Sequence, residues 1–397
     1  MKIEGTAKAL FTALSPLRSA VSKRPTRPIT ACCLITADGD EVTAQATDLE
    51  RYVRVTLPEV TIVTKGVEAI PYEPLITALS KMGEDAVAID STQSGVTIVS
   101  PSAKLRLSTD SAEEFPEFPS AAPAMTFTLD RKALETAIRK VGHAVCKGAH
   151  FYAIVGVQFR GTSKGLDITA TDGSQLSTVL IKGKGFSEFS VIVPVAVLGT
   201  LASFAASDEV GVALTANEAE KPEEQRMTWV KFTLGCSVMA TRLLEGHFPP
   251  WDNVLAGPFE RAATVNRRAF LDALALVGIA SDEMDDVIHF STAGDVMTLV
   301  AERSTADAAV SVALEDAKAP ILGGFVLHRL REMLQCADDD TMVLGCQMRK
   351  PRYDQKTRRW EQASEFTARD TAGWRYILNG ICIQCEAPAN ATEEEGE

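Results

Sequence analysis

Two Ala-Thr-Asp triplets, at 46–48 and 170–172, each lie among alternating apolar residues. Brought together, Asp48 and Asp172 could share general acid–base work; alternatively, the triplet marks a folding unit that the chain repeats. Other chemistry is thinner. Cys382-Ile-Gln-Cys385 has a zinc-like spacing, but it lies in an alternating run where positions three apart face opposite sides of a strand, and no second pair follows. His143, His150, His247, His289 and His328 have no metal-ligand spacing, and there is no HExxH, no phosphate loop ending in GK[ST] and no G-x-S-x-G. The chain is therefore expected to be non-catalytic, with no metal and no cofactor.

If a whole unit repeats, other landmarks must recur at the same offset, and they do. Pro71, in AIPYEPLITALSKM, is answered by Pro194, in IVPVAVLGTLASF, and Phe115-Pro116 by Phe248-Pro249. The larger offset of the second pair places an insertion at the polar stretch from Ala216. A fainter third copy has MTLVAERSTADAAVSV from Met297 and LGGFVLHRLREML from Leu322. The units run to about 125–130 residues, with expected boundaries 1–124, 125–258 and 259–386, followed by an acidic disordered tail, 387–397. Each unit opens on an amphipathic stripe, from Ala7, Arg131 and Arg267, and continues as short alternating strands, a second helix and more strands. The expected fold class is α+β, two helices packed on antiparallel sheet in each of three tandem copies.

Composition agrees with a globular chain: 397 residues, 46% hydrophobic and 23% charged. The net charge of −13 excludes a protein coated in basic surface, yet Lys and Arg gather near the opening helices. Lys8, Arg18, Lys23, Arg24 and Arg27 surround the first. Arg131, Lys132, Arg139, Lys140 and Lys147 lie on or just after the second, and Arg267, Arg268, Arg329 and Arg331 on helices of the third unit. Such segregation points to phosphate. The longest apolar run, from Val191, is short and split by Pro194 and Gly199, so no membrane span is expected. Eight scattered cysteines without a signal peptide favour reduced thiols and a cytoplasmic location.

The segments SKRPTRPITACCLITADGDEVTAQATDLERYVRV, ATDGSQLS and RLLEGHFPPWDNVL resemble the sliding clamps of bacterial replication, the beta subunits of the replicative DNA polymerase, in register with all three repeats. The resemblance implies a head-to-tail homodimer whose six domains close a ring around duplex DNA, tethering the replicative polymerase without reading sequence. It also implies docking of the clamp loader, repair polymerases and mismatch repair proteins. Asp48 and Asp172 then close turns and perform no chemistry. An alternative within the same fold is a peptide-binding scaffold that closes no ring.

The resemblance implies DNA contacts at Lys8, Lys23, Arg24, Arg139, Lys140, Lys147 and Tyr152. It implies a partner-peptide pocket built from Ile154, Thr171, Gly173, Leu176, Pro249, Val254, Ile377 and Ile381, and a dimer edge at Leu105, Leu107 and Ile279. Several positions depart from the family's pattern: Ser174-Gln175 stand where His-Arg is common, Asn253 where Arg is common, and Asn379-Gly380 in place of Met-Pro. These changes leave an apolar floor and alter the polar rim. The basic insertion from Arg349 to Trp360 reads as an extended hairpin.

Overall fold

The computed structural model describes all residues except 23, 93–94, 149–151, 184–185, 202–203, 205–206, 218–225, 253–261, 282–285, 304, 349–351, 355–358, 363, 371–373, 380–382 and 385–397. Its helices are α1 (Ala7–Leu14), α2 (Tyr72–Met82), α3 (Arg131–Gly142), α4 (Val195–Leu198), α5 (Arg267–Val277) and α6 (Leu327–Cys336). The residue before α1, α3 and α5 caps each in the same way. The side chains of Thr6, Asp130 and Asn266 accept from the backbone N–H of Ala9, Ala133 and Ala269 at 3.2, 2.7 and 3.0 Å. The stripe from Ala7 reads as one helix, but Pro16 has no N–H to continue it, so α1 passes into a 3₁₀ turn, Ser15–Ser19.

The repeat is finer than the sequence suggests. Each of the three copies consists of two successive half-repeats, in each of which a strand and a helix are followed by an antiparallel meander. The first copy runs Lys2–Thr6, α1, then Cys32–Asp38, Glu41–Thr47 and Arg51–Thr56. It then restarts with Gly66–Pro71, α2, and Ala86–Thr92, Gly95–Val99 and Lys104–Leu107. The opening strand of one half pairs with the meander of the other: Lys2–Thr6 with Ala86–Thr92, and Gly66–Pro71 with Cys32–Asp38. The third copy, faint in sequence, repeats this exchange. Ala263–Asn266 pairs with Thr341–Met348, and Gly323–Val326 with Val287–Ala293.

Backbone contacts divide the chain into two compact units, one of residues 1–135 and 193–244, the other of residues 136–192 and 245–397. The first unit holds a five-stranded and an eight-stranded sheet. The eight strands are continuous because Ser237–Arg242 pairs with Arg51–Thr56, joining first copy to second. In the second unit a twelve-stranded sheet is continuous because Gln175–Lys182 pairs with Trp374–Asn379, joining second copy to third. Both joints use the same edge: the last meander strand of one copy's first half meets the last meander strand of the next copy's second half.

Apolar residues alternate into each core. Ile3, Leu10, Leu14, Val53, Val55 and Ile89 are buried in the first unit; Phe270, Phe290, Phe325 and Phe366 pack ring on ring in the second, with centroids 5.1–6.0 Å apart. The basic insertion forms the expected hairpin, Arg352–Asp354 pairing with Arg359–Gln362. Its turn, the acidic tail, and Cys382 and Cys385 lie outside the described residues.

Candidate nucleic-acid and partner interface

The Ala-Thr-Asp triplets close turns. Thr47 Oγ1 donates to the Arg51 carbonyl and accepts from the Leu49 N–H, while Asp48 Oδ1 accepts from the N–H groups of Glu50 and Arg51. Thr171 and Asp172 repeat these bonds with Gln175, Gly173 and Ser174. The third turn position takes positive φ in both copies, +90° at Gly173 and +80° at Leu49, so the second copy meets with glycine what the first meets with a strained leucine. Every acceptor direction of these carboxylates is directed at turn or cation: Asp48 Oδ2 pairs with Arg51 at 2.6 Å, and Asp172 Oδ2 with Arg329 at 3.1 Å. A catalytic pair is excluded by that use.

Just beyond the second turn is a cavity of about 360 Å³ lined by Ile154, Thr171, Gly173, Leu176, Pro249 and Ile377, with Ser174, Gln175 and Asn379 on its rim. Leu176 stands directly opposite Ile377 across the joint between second and third copies, and both pack against Trp251 and Phe248. Sequence reasoning missed Trp251. Its indole N–H donates to Gln158 at 2.6 Å, and the Arg160 guanidinium lies 4.1 Å from its ring, held there by Asp167 and Asp252. The aromatic two residues beyond Pro249 was a signal that the buried floor would be larger than the aliphatic set. Val254 and Ile381 lie outside the described residues.

Behind the rim, Gln175 is buried. It accepts from the Tyr376 hydroxyl at 2.8 Å and donates to Asp172 at 3.1 Å, so it is a structural tie more than a free rim group. The His143 ring lies 5.6 Å from that of Tyr376, and both its nitrogens are buried without a hydrogen-bond partner. Burial pushes its pKa down to about 4, with Lys147 adding to the shift and Asp172 opposing it.

The basic residues separate into distinct classes. Arg24 is exposed, and among the described residues no carboxylate pairs with it; the same holds for Arg27, Lys81, Lys132, Arg268 and Arg331. Lys8 and Lys147 are exposed but touch Glu84 at 2.7 Å and Glu332 at 3.6 Å, and Arg139 pairs with Asp338. Lys140 departs from the expected set. It is 2% exposed, its ammonium lodged between Asp370 and Asp338, and such a group cannot meet phosphate. Lys23 lies outside the described residues; Tyr152 begins a 3₁₀ turn, Tyr152–Ile154.

A register explains Lys140. The tenth residue counted from the start of α1, α3 and α5 is Pro16, Lys140 and Leu276. Pro16 is buried in a groove shared with Val55 and Phe204 at the first joint, and Lys140 is buried at the second. Leu276, on the third copy, is 56% exposed, and Ile279 beside it is 69% exposed. The third copy's corresponding edge strand, Ala306–Glu315, and the first copy's Lys104–Leu107, with Leu105 and Leu107 half-buried, are the counterparts of the paired joint strands. Lys104–Leu107 ends its sheet, and Ala306–Glu315 meets a second neighbour only at Leu314 and Glu315.

Tandem α+β repeats joined strand to strand in this way define the sliding-clamp fold. Residues 1–119 match the family model for the DNA polymerase III beta subunit, N-terminal domain, and residues 128–250 that for its central domain, together more than half of the chain. The beta sliding clamp of Synechocystis sp. is 26% identical over 320 residues, 73% of this chain and 78% of that protein. The DNA polymerase III subunit beta of Pseudomonas aeruginosa superposes with a TM-score of 0.84 at 18% identity, covering 96% of this chain and 100% of the other. A sliding clamp from Bartonella birtlesii, solved bound to griselimycin, gives 0.83 at 22% identity, covering 96% and 99%. The chain belongs to the DNA polymerase III beta subunit family, the non-catalytic sliding clamps of DNA replication. Among the described residues no helix is long and apolar enough to cross a membrane.

Proposed function

We propose that two copies close head to tail into a ring around duplex DNA and tether the replicative polymerase there. The observation that carries this reading is the repeated joint. Two joints within the chain pair the same two edges, and the two edges left over are complementary by the same rule, Ala306–Glu315 of one copy against Lys104–Leu107 of another. A heterologous contact that repeats about a twofold axis closes a ring. Leu276 and Ile279, exposed where Pro16 and Lys140 are covered, supply apolar surface at that contact with Leu105 and Leu107. The three repeats are bounded at 1–124, 125–258 and 259–386.

Duplex DNA is held by Arg24, Lys8, Arg139 and Lys147, joined by Arg27, Lys132, Arg268 and Arg331. Exposed ion pairs such as Lys8–Glu84 contribute little on their own and exchange readily for phosphate. Contacts of this kind carry no sequence information, which permits sliding. Polymerase, clamp loader and repair proteins insert a short apolar peptide segment into the cavity over Leu176, Ile377 and Trp251. The six described cysteines are all free, which supports a reducing, cytoplasmic compartment. Sedimentation at micromolar concentration tests the reading: a mass near twice 42.7 kDa is expected, and monomer alone would exclude ring closure.

A further inference from the structure

Tyr52 holds in the first copy the place that Leu176 holds in the second, after the matching Thr-Asp turn, but it faces Ala240 instead of Ile377. The small Ala240 leaves room for rings. Phe118 lies 5.9 Å from Tyr52 and Trp229 lies 5.7 Å from it, both edge to face, and all three are partly exposed. Tyr52, Arg54, Trp229, Lys231 and Arg242 alternate with the buried Val53, Val55, Val230 and Thr241, so they share one face of the eight-stranded sheet.

That face carries positive charge without matching carboxylates. The Arg54 guanidinium lies 4.3 Å and the Lys231 ammonium 5.8 Å from the Phe118 ring, and the Arg242 guanidinium 5.3 Å from that of Trp229. Arg54 donates to the neutral Gln45 amide at 3.0 and 3.3 Å, and among the described residues neither it nor Lys231 pairs with a carboxylate. Burial holds the Arg54 pKa below its ordinary value. Arg242 has Glu50 at 3.8 Å, both largely exposed. Cations set over aromatic faces, partly desolvated and short of counter-ions, suit an anion that also brings flat apolar groups.

We propose that this sheet face binds single-stranded nucleic acid, bases stacking on Tyr52 and Trp229 and phosphates meeting Arg54, Lys231 and Arg242. A row of rings on an open sheet face is the arrangement by which sheets hold unstacked bases, whereas a peptide needs pockets or a free strand edge. A duplex keeps its base faces stacked and gains nothing from the rings. The inference does not rest on ring closure.

The test is fluorescence anisotropy of a labelled oligothymidylate of about 16 nucleotides with the full chain. Tyr52→Ala with Trp229→Ala should weaken binding about tenfold or more, the loss of one or two stacked bases. Tyr52→Phe with Trp229→Phe, which keeps the ring faces, should retain binding. Arg54→Gln with Lys231→Gln should lower the slope of log affinity against log salt by about 1. Binding of a duplex of the same length should be unaffected by the ring variants. Unchanged oligothymidylate affinity in a folded double-alanine variant would overturn the proposal, as would equal loss for duplex. So would capture of an oligoglutamate peptide, sensitive to the same variants, in place of the oligothymidylate.

Discussion

Leu176 and Ile377 face each other across the strand joint between the second and third copies, with the Trp251 indole packed against both. An apolar anchor buried on that floor gains roughly 1.5–3 kcal/mol per side chain. Leu176→Ala combined with Ile377→Ala should therefore weaken a polymerase-derived C-terminal peptide by at least about tenfold in a fluorescence titration. Unchanged affinity with the protein folded would put the partner site elsewhere.

The rim prediction follows from Gln175. Because its amide is tied to Tyr376 and Asp172, and Ser174 and Asn379 are neutral, the rim of the described pocket offers no free cation. Adding an acidic residue beside the peptide's apolar anchor should change affinity by less than about threefold, within the small worth of exposed charge contacts. A strong preference for the acidic peptide would show that a cation reaches the rim.

Lys140 separates packing from DNA binding. Its ammonium and the Asp370 carboxylate are almost wholly enclosed, and Asp370 also accepts from the Trp374 N–H at 2.9 Å. Lys140→Ala leaves a buried carboxylate short of its partner, a change that costs about 3–5 kcal/mol. Denaturant unfolding should show that loss, while the salt dependence of duplex binding stays as in the parent. If the variant is as stable as the parent and the salt slope falls, Lys140 is a phosphate contact after all.

His143 makes stability depend on pH. Its folded pKa, pushed down to about 4 by burial, lies below the unfolded value near 6.5, so the unfolded chain takes up the proton first. Stability is fully present above about pH 6.5 and declines toward pH 4, by up to roughly 3 kcal/mol from this group. His143→Gln should flatten the unfolding free energy between pH 7 and pH 5, and an NMR titration of the ring should give a midpoint near 4. A midpoint near 6.5 would mean that the ring is open to water.

The threefold repeat and the helix positions are legible in the sequence because caps and apolar periods are local: Thr6, Asp130 and Asn266 sit where a helix must start. The exchange of opening strands between half-repeats is not legible, since pairing partners some 50–80 residues apart leave no mark on periodicity. The pocket floor was half legible. Leu176 and Ile377 follow from the resemblance, whereas Trp251 needed Gln158 and Arg160 brought beside it by the sheet. Lys140 misleads for the opposite reason. Charge on an amphipathic helix reads as solvent-facing, and only the joint, which supplies Asp338 and Asp370, turns it inward.

Leu276 and Ile279 test the contact between copies. Both are exposed on a single chain at the position the other joints cover. Leu276→Glu with Ile279→Glu should shift sedimentation toward a single chain of 42.7 kDa without altering the unfolding midpoint of that chain. A dimer that survives the change uses another surface.

The most direct test of encirclement is retention on DNA of different topology. Protein loaded onto nicked circular DNA should remain bound through gel filtration at moderate salt and should be lost when the same DNA is cut once, because a ring slides off an end while electrostatic contacts are unchanged by the cut. Equal retention, or equal loss, on circular and linear DNA would contradict the ring.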